Sequence, residues 1–393
     1  PWVPAALVVA ATCSIFWYLT AGQMPWTGDH PVHLFKAWQL GEKLIPSGRL
    51  TGWSHFWWTG YPAGVEYPIL GDLLVVIVRT ASLGLMPWHV AYAYALLVTM
   101  VLYHLGVYAL GRRWFGPWAG AAGAIVTLLD RGGPREGGWY WTIANGVWPM
   151  ALGTALWLLA FERFLAVLER PTRRRVAALA VLQALALLGH PMTLTFTLAI
   201  YPTAWILASL RAERGRVALP SWAAISGLAI AGLLAAFWYI PFLGFSDLVE
   251  KVGDVWWTLP EIGDRITDLS VFEATWRLPV ALGVGGAILA WARGHRAGRD
   301  VTIMAALLMI AISSTALVEV PPRWIGDALD AVHFRRFTYP LKAMWFLLAG
   351  YAIAGIAGVG ASDAGGGEAA APAPPGGWRR WARVAIAALA IVP

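Results

Sequence analysis

Apolar stretches recur along the whole chain, broken by short polar connections. The pattern predicts spanning helices over 3–22, 87–111, 117–129, 144–168, 174–189, 191–210, 221–242, 278–292, 301–318 and 339–359. A bilayer core about 30 Å thick asks for about 20 apolar residues per helix. The segments 117–129 and 174–189 fall short of that, so their ends are the least defined. Segment 69–86 is apolar as well but carries Asp72 and Arg79. It reads as a helix lying in the membrane interface, because counting it as a span breaks the charge pattern of the loops.

That charge pattern sets the orientation. With residue 1 inside, the inner connections hold Arg112 and Arg113, then Arg170 and Arg173 to Arg175, then Arg211, Arg214 and Arg216. Arg293, Arg296 and Arg299 follow, and then Arg379, Arg380 and Arg383. These connections carry 15 basic against 5 acidic residues, whereas the outer side carries 13 basic and 16 acidic. Short Arg-rich loops mark the cytoplasmic face. The larger segments 23–86, 130–143, 243–277 and 319–338 therefore lie outside, and any chemistry is expected at the extracytoplasmic membrane surface.

Composition agrees. The chain has 393 residues, of which 59% are hydrophobic and 13% charged, with a mean hydropathy of +0.60. This excludes a disordered chain, a coiled coil and an ordinary soluble enzyme. The net charge of +7 is a topology signal and gives no reason to expect nucleic acid. With Cys13 alone no intrachain disulfide forms. The sequence opens on Pro1 and stops within the apolar run 384–393, which reads as a piece of a longer protein or a processed chain. The expected organisation is a membrane domain over 1–360, with 23–86 as its first outer segment. A flexible Gly/Ala/Pro-rich cytoplasmic linker over 361–380 and the start of a further span over 381–393 follow. The fold class is thus an all-α polytopic membrane protein of about 10–11 spans.

Candidate chemistry sits in the outer segments. Asp29 follows the first span, and Pro31 suits the first turn of a helix. Leu34, Phe35, Trp38 and Ile45 share one face of that helix, so it is amphipathic and interfacial. The stretch Trp53–Trp58 with Tyr61 and Tyr67 resembles an aromatic belt. Asp29 either caps the helix or presents a carboxylate at the membrane surface that binds a divalent cation (Mg or Mn) or takes a proton from a hydroxyl. His30, His33 and Glu66 are near enough in sequence to complete a polar cluster. Asp130 ends a span. Glu136 follows in a loop whose Gly132, Gly133, Gly137 and Gly138 form a plain turn or let a ligand approach closely. His190 lies between two spans and either bonds a freed helix end or faces a cavity. His333, Arg335, Arg336 and Lys342 stand outside a span on the trans side, against the topological bias. Phosphate binding accounts for that placement; snorkelling or pairing with Glu319, Asp327 or Asp330 is the alternative.

These residues carry a resemblance. The stretch Gly28-Asp29-His30-Pro31-Val32-His33-Leu34-Phe35, then Gly60-Tyr61-Pro62 and Tyr67-Pro68-Ile69-Leu70, then Leu188-Gly189-His190-Pro191 and Phe334-Arg335-Arg336-Phe337 resembles the 6-pyruvoyl-tetrahydropterin synthase-related membrane proteins. The usual Tyr-Pro-Pro-Leu here reads Tyr67-Pro68-Ile69-Leu70. The soluble synthase of that name is a small zinc enzyme, which this apolar chain is not. By architecture the family is similar to the GT-C glycosyltransferases, which take sugars from polyprenyl phosphate or pyrophosphate carriers. The resemblance implies a GT-C-like bundle with amphipathic outer-loop helices, set in a bacterial or archaeal plasma membrane. Its partners would be a lipid-linked sugar donor, an acceptor and membrane lipid. Asp29 and Asp130 fall where that superfamily places acidic residues after the first and third spans, so the resemblance implies catalytic or metal-binding roles for both. Arg335 and Arg336, with His333, His190, His33 and Glu66, would bind substrate or phosphate. The rival readings are a transporter or lipid-handling protein and a non-catalytic membrane scaffold.

Overall fold

A computed structural model describes residues 2–56, 59–133, 136–211, 218–245, 257–272, 275–313, 315–330 and 332–358. The expected linker 361–380 and the run 381–393 lie outside the described residues, as do several inner basic residues, among them Arg214, Arg216 and Arg379.

A helix occupies each of the ten segments that the apolar pattern marks. They are α1 (Trp2–Ile15) with the short α2 (Trp17–Thr20), α5 (Trp88–Phe115), α6 (Pro117–Leu129), α7 (Trp148–Glu169) and α8 (Arg173–Gly189). The series continues with α9 (Met192–Ser209), α10 (Ala218–Gly244), α12 (Arg277–Ala292), α13 (Arg296–Ala311) and α15 (Thr338–Ala357). The helices α5, α7, α9 and α10, and the stretch Phe334–Ala357, are long and apolar enough to cross a membrane; α1, α6 and α12 are apolar but shorter. The longer connections add α3 (His30–Gln39), α4 (Leu70–Ala81), α11 (Leu259–Thr267) and α14 (Arg323–Asp330). The sequence pattern gave no sign of the small antiparallel hairpin of β1 (Gly52–Ser54) and β2 (Tyr61–Ala63), in which Trp53 faces Pro62.

Helix ends depart from expectation where local chemistry intervenes. The first span breaks at Phe16, whose φ and ψ are −100° and 37°. The helix expected from 144 starts at Trp148, because Gly146 takes a φ of +82°, a conformation that only glycine adopts freely. Instead of starting at 301, α13 starts at Arg296, where the His295 side chain accepts the Gly298 N–H, as an N-cap does.

The chain forms two compact units. One comprises residues 1–11, 104–139 and 253–393. Its centre is α15, packed against α6, α12 and α13. Small residues allow the close approach: a Cβ on Gly350 would lie 2.4 Å from the Ala119 carbonyl oxygen, and one on Gly286 would lie 2.0 Å from that of Leu348. With no hydrophobic drive between helices in lipid, such backbone contact is what holds spans together. The other unit comprises residues 12–103 and 140–252. There α7 and α10 pack on α8, α9 packs on α7, and α3 lies along α4. A fully hydrogen-bonded network crosses its interior: the Trp157 indole and the Gln183 amide both donate to the Thr197 hydroxyl, and Tyr201 donates to Gln183.

Candidate functional site

Asp29 stands at the entrance to α3, and a second loop holds it there. The Asp29 N–H donates to the Asn145 carbonyl at 2.9 Å, and the Thr27 hydroxyl donates to the Ala144 carbonyl. Gly28 and Gly146 permit this interlock. A Cβ on Gly28 would fall 2.3 Å from the Asn145 oxygen, and one on Gly146 would fall 2.7 Å from the His30 nitrogen. His30 is fully buried and fixes the join from inside. Its Nε2–H donates to the Ile143 carbonyl, so Nδ1 accepts from the Tyr92 hydroxyl at 2.8 Å. The Tyr92 oxygen in turn accepts the Trp148 indole N–H at 2.6 Å. Burial lowers the His30 pKa, against a smaller raising effect of its Ile143 bond and of Asp29, so the ring is neutral and the tautomer is set by its partners. Asp29 itself is exposed, and its side chain makes no capping bond. The capping alternative is thereby corrected: the rigid join orients the residue and leaves the carboxylate open to a reactant.

The helix behind Asp29 is amphipathic in an unusual sense. His30, His33, Ala37 and Gln39 are buried, while Leu34, Phe35 and Trp38 remain half-exposed. The polar face thus turns into the protein, while Phe35 and Trp38 of the other face pack on the exposed Phe56. His33 packs against Tyr67 and Trp148, and Tyr67 against His190, with ring centroids 5.4, 6.0 and 5.9 Å apart. The structure therefore brings together His33 and His190, two of the residues singled out in the sequence. Burial, with Lys36 and His30 nearby, pushes the His33 pKa down to about 3. Its Nδ1 is buried without a hydrogen-bond partner among the described residues. His190 Nδ1 accepts the Met192 N–H at the start of α9. Glu66 is paired with Lys36 at 2.9 Å. Beside them Asp72 is buried, and burial raises its pKa to about 8 despite the attraction of Lys36.

Asp130 has a different environment. It is 5% exposed. One oxygen accepts from Thr275 at 2.6 Å and from the Gly132 N–H at 3.3 Å, and the other accepts from Lys342 Nζ at 2.9 Å. Glu136 lies 3.5 Å from the same ammonium. The glycines of this loop serve the loop itself: a Cβ on Gly132, at φ +70°, would fall 1.8 Å from the Gly137 carbonyl oxygen. Folded back in this way, the loop delivers Glu136 to Lys342. The reading of Lys342 as a phosphate contact outside a span is corrected, since it lies within α15, 1% exposed, between two carboxylates. A sequence signal existed: a single lysine inside an otherwise apolar span must find an acid partner. Arg335 and Arg336 sit half-buried in the 3₁₀ turn Phe334–Phe337, with the half-buried His333 before it. Among the described residues no group of three or more His, Cys, Asp or Glu side chains is placed to hold a metal ion. A cation at Asp130 would have to displace Lys342.

Asp130 also lines a cavity of about 240 Å³. Arg131, Trp139, Thr275 and Trp276 share its rim and walls, together with apolar side chains of α6, α12 and α15.

Residues 67–271, just over half of the chain, match the model of a family described as 6-pyruvoyl-tetrahydropterin synthase related domain, membrane protein. No curated protein sequence matches the chain. Solved structures share its fold. Archaeoglobus fulgidus oligosaccharyltransferase AglB, in complex with an inhibitory peptide and a dolichol-phosphate, is similar at a TM-score of 0.58 and 12% identity, over 99% of this chain and 54% of that one. ArnT from Cupriavidus metallidurans, bound to undecaprenyl phosphate, is similar at a TM-score of 0.52 and 15% identity, over 90% of this chain and 60% of that one. The Archaeoglobus enzyme in complex with Zn and sulfate is similar at 0.55 and 13% identity, over 98% and 50%. The chain thus spans between half and three fifths of the length of these structures. The expected GT-C-like helical membrane fold is present.

Proposed function

We propose, for a chain that belongs to the 6-pyruvoyl-tetrahydropterin synthase-related membrane protein family, a membrane glycosyltransferase that uses a sugar carried on polyprenyl phosphate. The observation that carries this reading is the presentation of Asp29: an exposed carboxylate on an immobilised join, at the start of an interfacial helix, in a fold similar to enzymes solved with polyprenyl or dolichyl phosphates. An acceptor hydroxyl attacks the anomeric carbon, the bond from that carbon to the phosphate oxygen breaks, and the carrier phosphate leaves with the electron pair. Asp29 takes the hydroxyl proton as the new glycosidic bond forms, which inverts the anomeric centre. General-base assistance of this kind contributes about 10²–10⁴-fold.

Arg335 and Arg336, with His333, hold the leaving phosphate, where fixed positive charge stabilises the negative charge that develops. His33, kept neutral by burial, and His190 line the acceptor side, and Glu66 keeps Lys36 in place through their ion pair. Asp130 holds a sugar hydroxyl, with its carboxylate fixed in place by Lys342. No step is routed through a metal. The reaction faces the extracytoplasmic side.

The test is a transfer assay with the purified chain in lipid nanodiscs and a panel of radiolabelled undecaprenyl-phosphate sugars. Wild-type protein is expected to release bare undecaprenyl phosphate in step with product, and Asp29→Asn to lose at least 100-fold while eluting as wild type. Wild-type turnover by Asp29→Asn refutes the assigned base. Counterflow of the glycosylated carrier without product would support the transporter reading in its place.

A further inference from the structure

The cavity at Asp130 has features that the transfer reading does not use. Its volume of about 240 Å³ equals about eight water volumes at roughly 30 Å³ each. That is below the roughly 300–1,000 Å³ of pockets that enclose drug-sized ligands. There is room for one small ring and not for a chain of them. The lining is amphiphilic. Trp139 and Trp276 bring two large aromatic faces, and neither indole N–H has a hydrogen-bond partner among the described residues. Asp130 has about four lone-pair positions as a carboxylate, of which Thr275, Gly132 and Lys342 use three. Arg131 adds a cation at the same cavity.

An isoprenoid chain would satisfy the apolar walls and leave these polar groups without a partner. A sugar ring matches both kinds of surface. Its C–H faces cover indole rings, its hydroxyls donate to the open position on Asp130, and its oxygens accept the two indole N–H groups. Charge balance favours a neutral ring, because Lys342 and Arg131 together offset Asp130 and Glu136.

We infer, resting on the glycosyl-transfer reading, that this cavity receives the transferred sugar and that the donor carries a single neutral monosaccharide. Trp139 and Trp276 are then the residues that set sugar specificity.

The test uses the full chain in nanodiscs and measures affinity for three kinds of probe. They are bare undecaprenyl phosphate, undecaprenyl-phosphate-linked glucose, galactose, mannose and arabinose, and the corresponding disaccharides. At least one monosaccharide carrier is expected to bind at least tenfold more tightly than bare carrier, and the disaccharides no more tightly than bare carrier. Trp139→Ala and Trp276→Ala are expected to erase that tenfold gain and leave affinity for bare carrier unchanged, which also reports that they fold. Trp276→Phe, which keeps an aromatic face, is expected to retain most of it. Tight disaccharide binding, an unaltered gain in both alanine variants, or parallel loss of bare carrier overturns the inference, the last because the cavity then holds lipid. If bare carrier binds but no monosaccharide adds affinity, the inference falls and the transfer reading stands. If the wild-type chain binds no carrier at all, both fall.

Discussion

The two units treat their acidic groups in opposite ways. In the unit built on α15, Asp130 and Glu136 are buried around the Lys342 ammonium, and every Asp130 oxygen is engaged. In the unit built on α7 and α8, Asp29 is exposed with no side-chain capping bond, and Asp72 is buried with no ion pair among the described residues. Sequence position made Asp29 and Asp130 look equivalent, since each follows a span. The difference is one of electrostatic investment. Asp130 is committed to partners within the protein, whereas Asp29 keeps an exposed carboxylate on a backbone held by a second loop.

The largest effect is expected from breaking the clamp. Lys342→Met removes the ammonium that lies between two buried carboxylates, a change that costs about 3–5 kcal/mol. Thermal unfolding in detergent should fall steeply. Adding Asp130→Asn to Lys342→Met should recover part of the loss, because one uncompensated charge is removed. A Lys342→Met protein as stable as wild type would mean that the ion cluster carries no structural weight.

Next comes the contrast at Asp29. Asp29→Asn is expected to remove the about 10²–10⁴-fold of a general base while moving stability by no more than about 0.5 kcal/mol, as for an exposed position. Measured side by side, activity and unfolding should separate the two residues: Lys342→Met loses stability first, and Asp29→Asn loses only rate. Equal destabilisation by both would erase the distinction.

Much of this fold was legible because lipid imposes one strong rule. Spans must be apolar and helical, so a helix could be read from hydropathy for each of the ten apolar segments and for 69–86. The hairpin at Gly52–Ser54 and Tyr61–Ala63 was not, since three-residue strands leave no periodicity to detect. The site was legible in its residues and not in their partners. Asp29, His33, His190 and Asp130 stand out as polar groups at span ends. That Lys342 reaches back to Asp130, 212 positions earlier in the chain, depends on how α15 packs on α6. So does the difference between an open and a clamped carboxylate. The Tyr92–Trp148 link to His30 was silent for the same reason: an aromatic residue in an apolar span reads as core until its hydroxyl finds a partner.

Asp72 sharpens the comparison from the other side, as a buried acid without an ammonium bound to it. Its folded-state pKa is about 8, mainly through burial, against an ordinary value of 3.8. Between those values the folded chain keeps a proton that the unfolded chain has released. Stability therefore falls as pH rises through this window, by up to about 1.4 kcal/mol per pH unit, and levels off above it. Asp72→Asn should remove that slope, so the difference in unfolding temperature between variant and wild type should grow from pH 5 to pH 8 in favour of the variant. A constant difference would place the Asp72 pKa in the ordinary range and make its surroundings far more polar than the packing implies.

The smallest expected effect tests whether the join that presents Asp29 matters to the chemistry. Tyr92→Phe removes the hydroxyl that the Trp148 indole donates to and that His30 Nδ1 accepts from. Two buried groups lose a partner, at a cost of about 1–3 kcal/mol. If the link only packs the interior, unfolding shifts by that amount and transfer kinetics at saturating donor do not change. If it orients Asp29, kcat falls several-fold with little change in donor KM, because the base is displaced while the carrier contacts are not. His30→Asn gives a second reading of the same bond, since a shorter amide can keep the contact to Ile143 but does not reach Tyr92 in the same geometry. A kcat loss shared by both variants, larger than any seen for a buried substitution of equal stability cost in α7, would identify the histidine join as part of how this protein holds its open carboxylate in place.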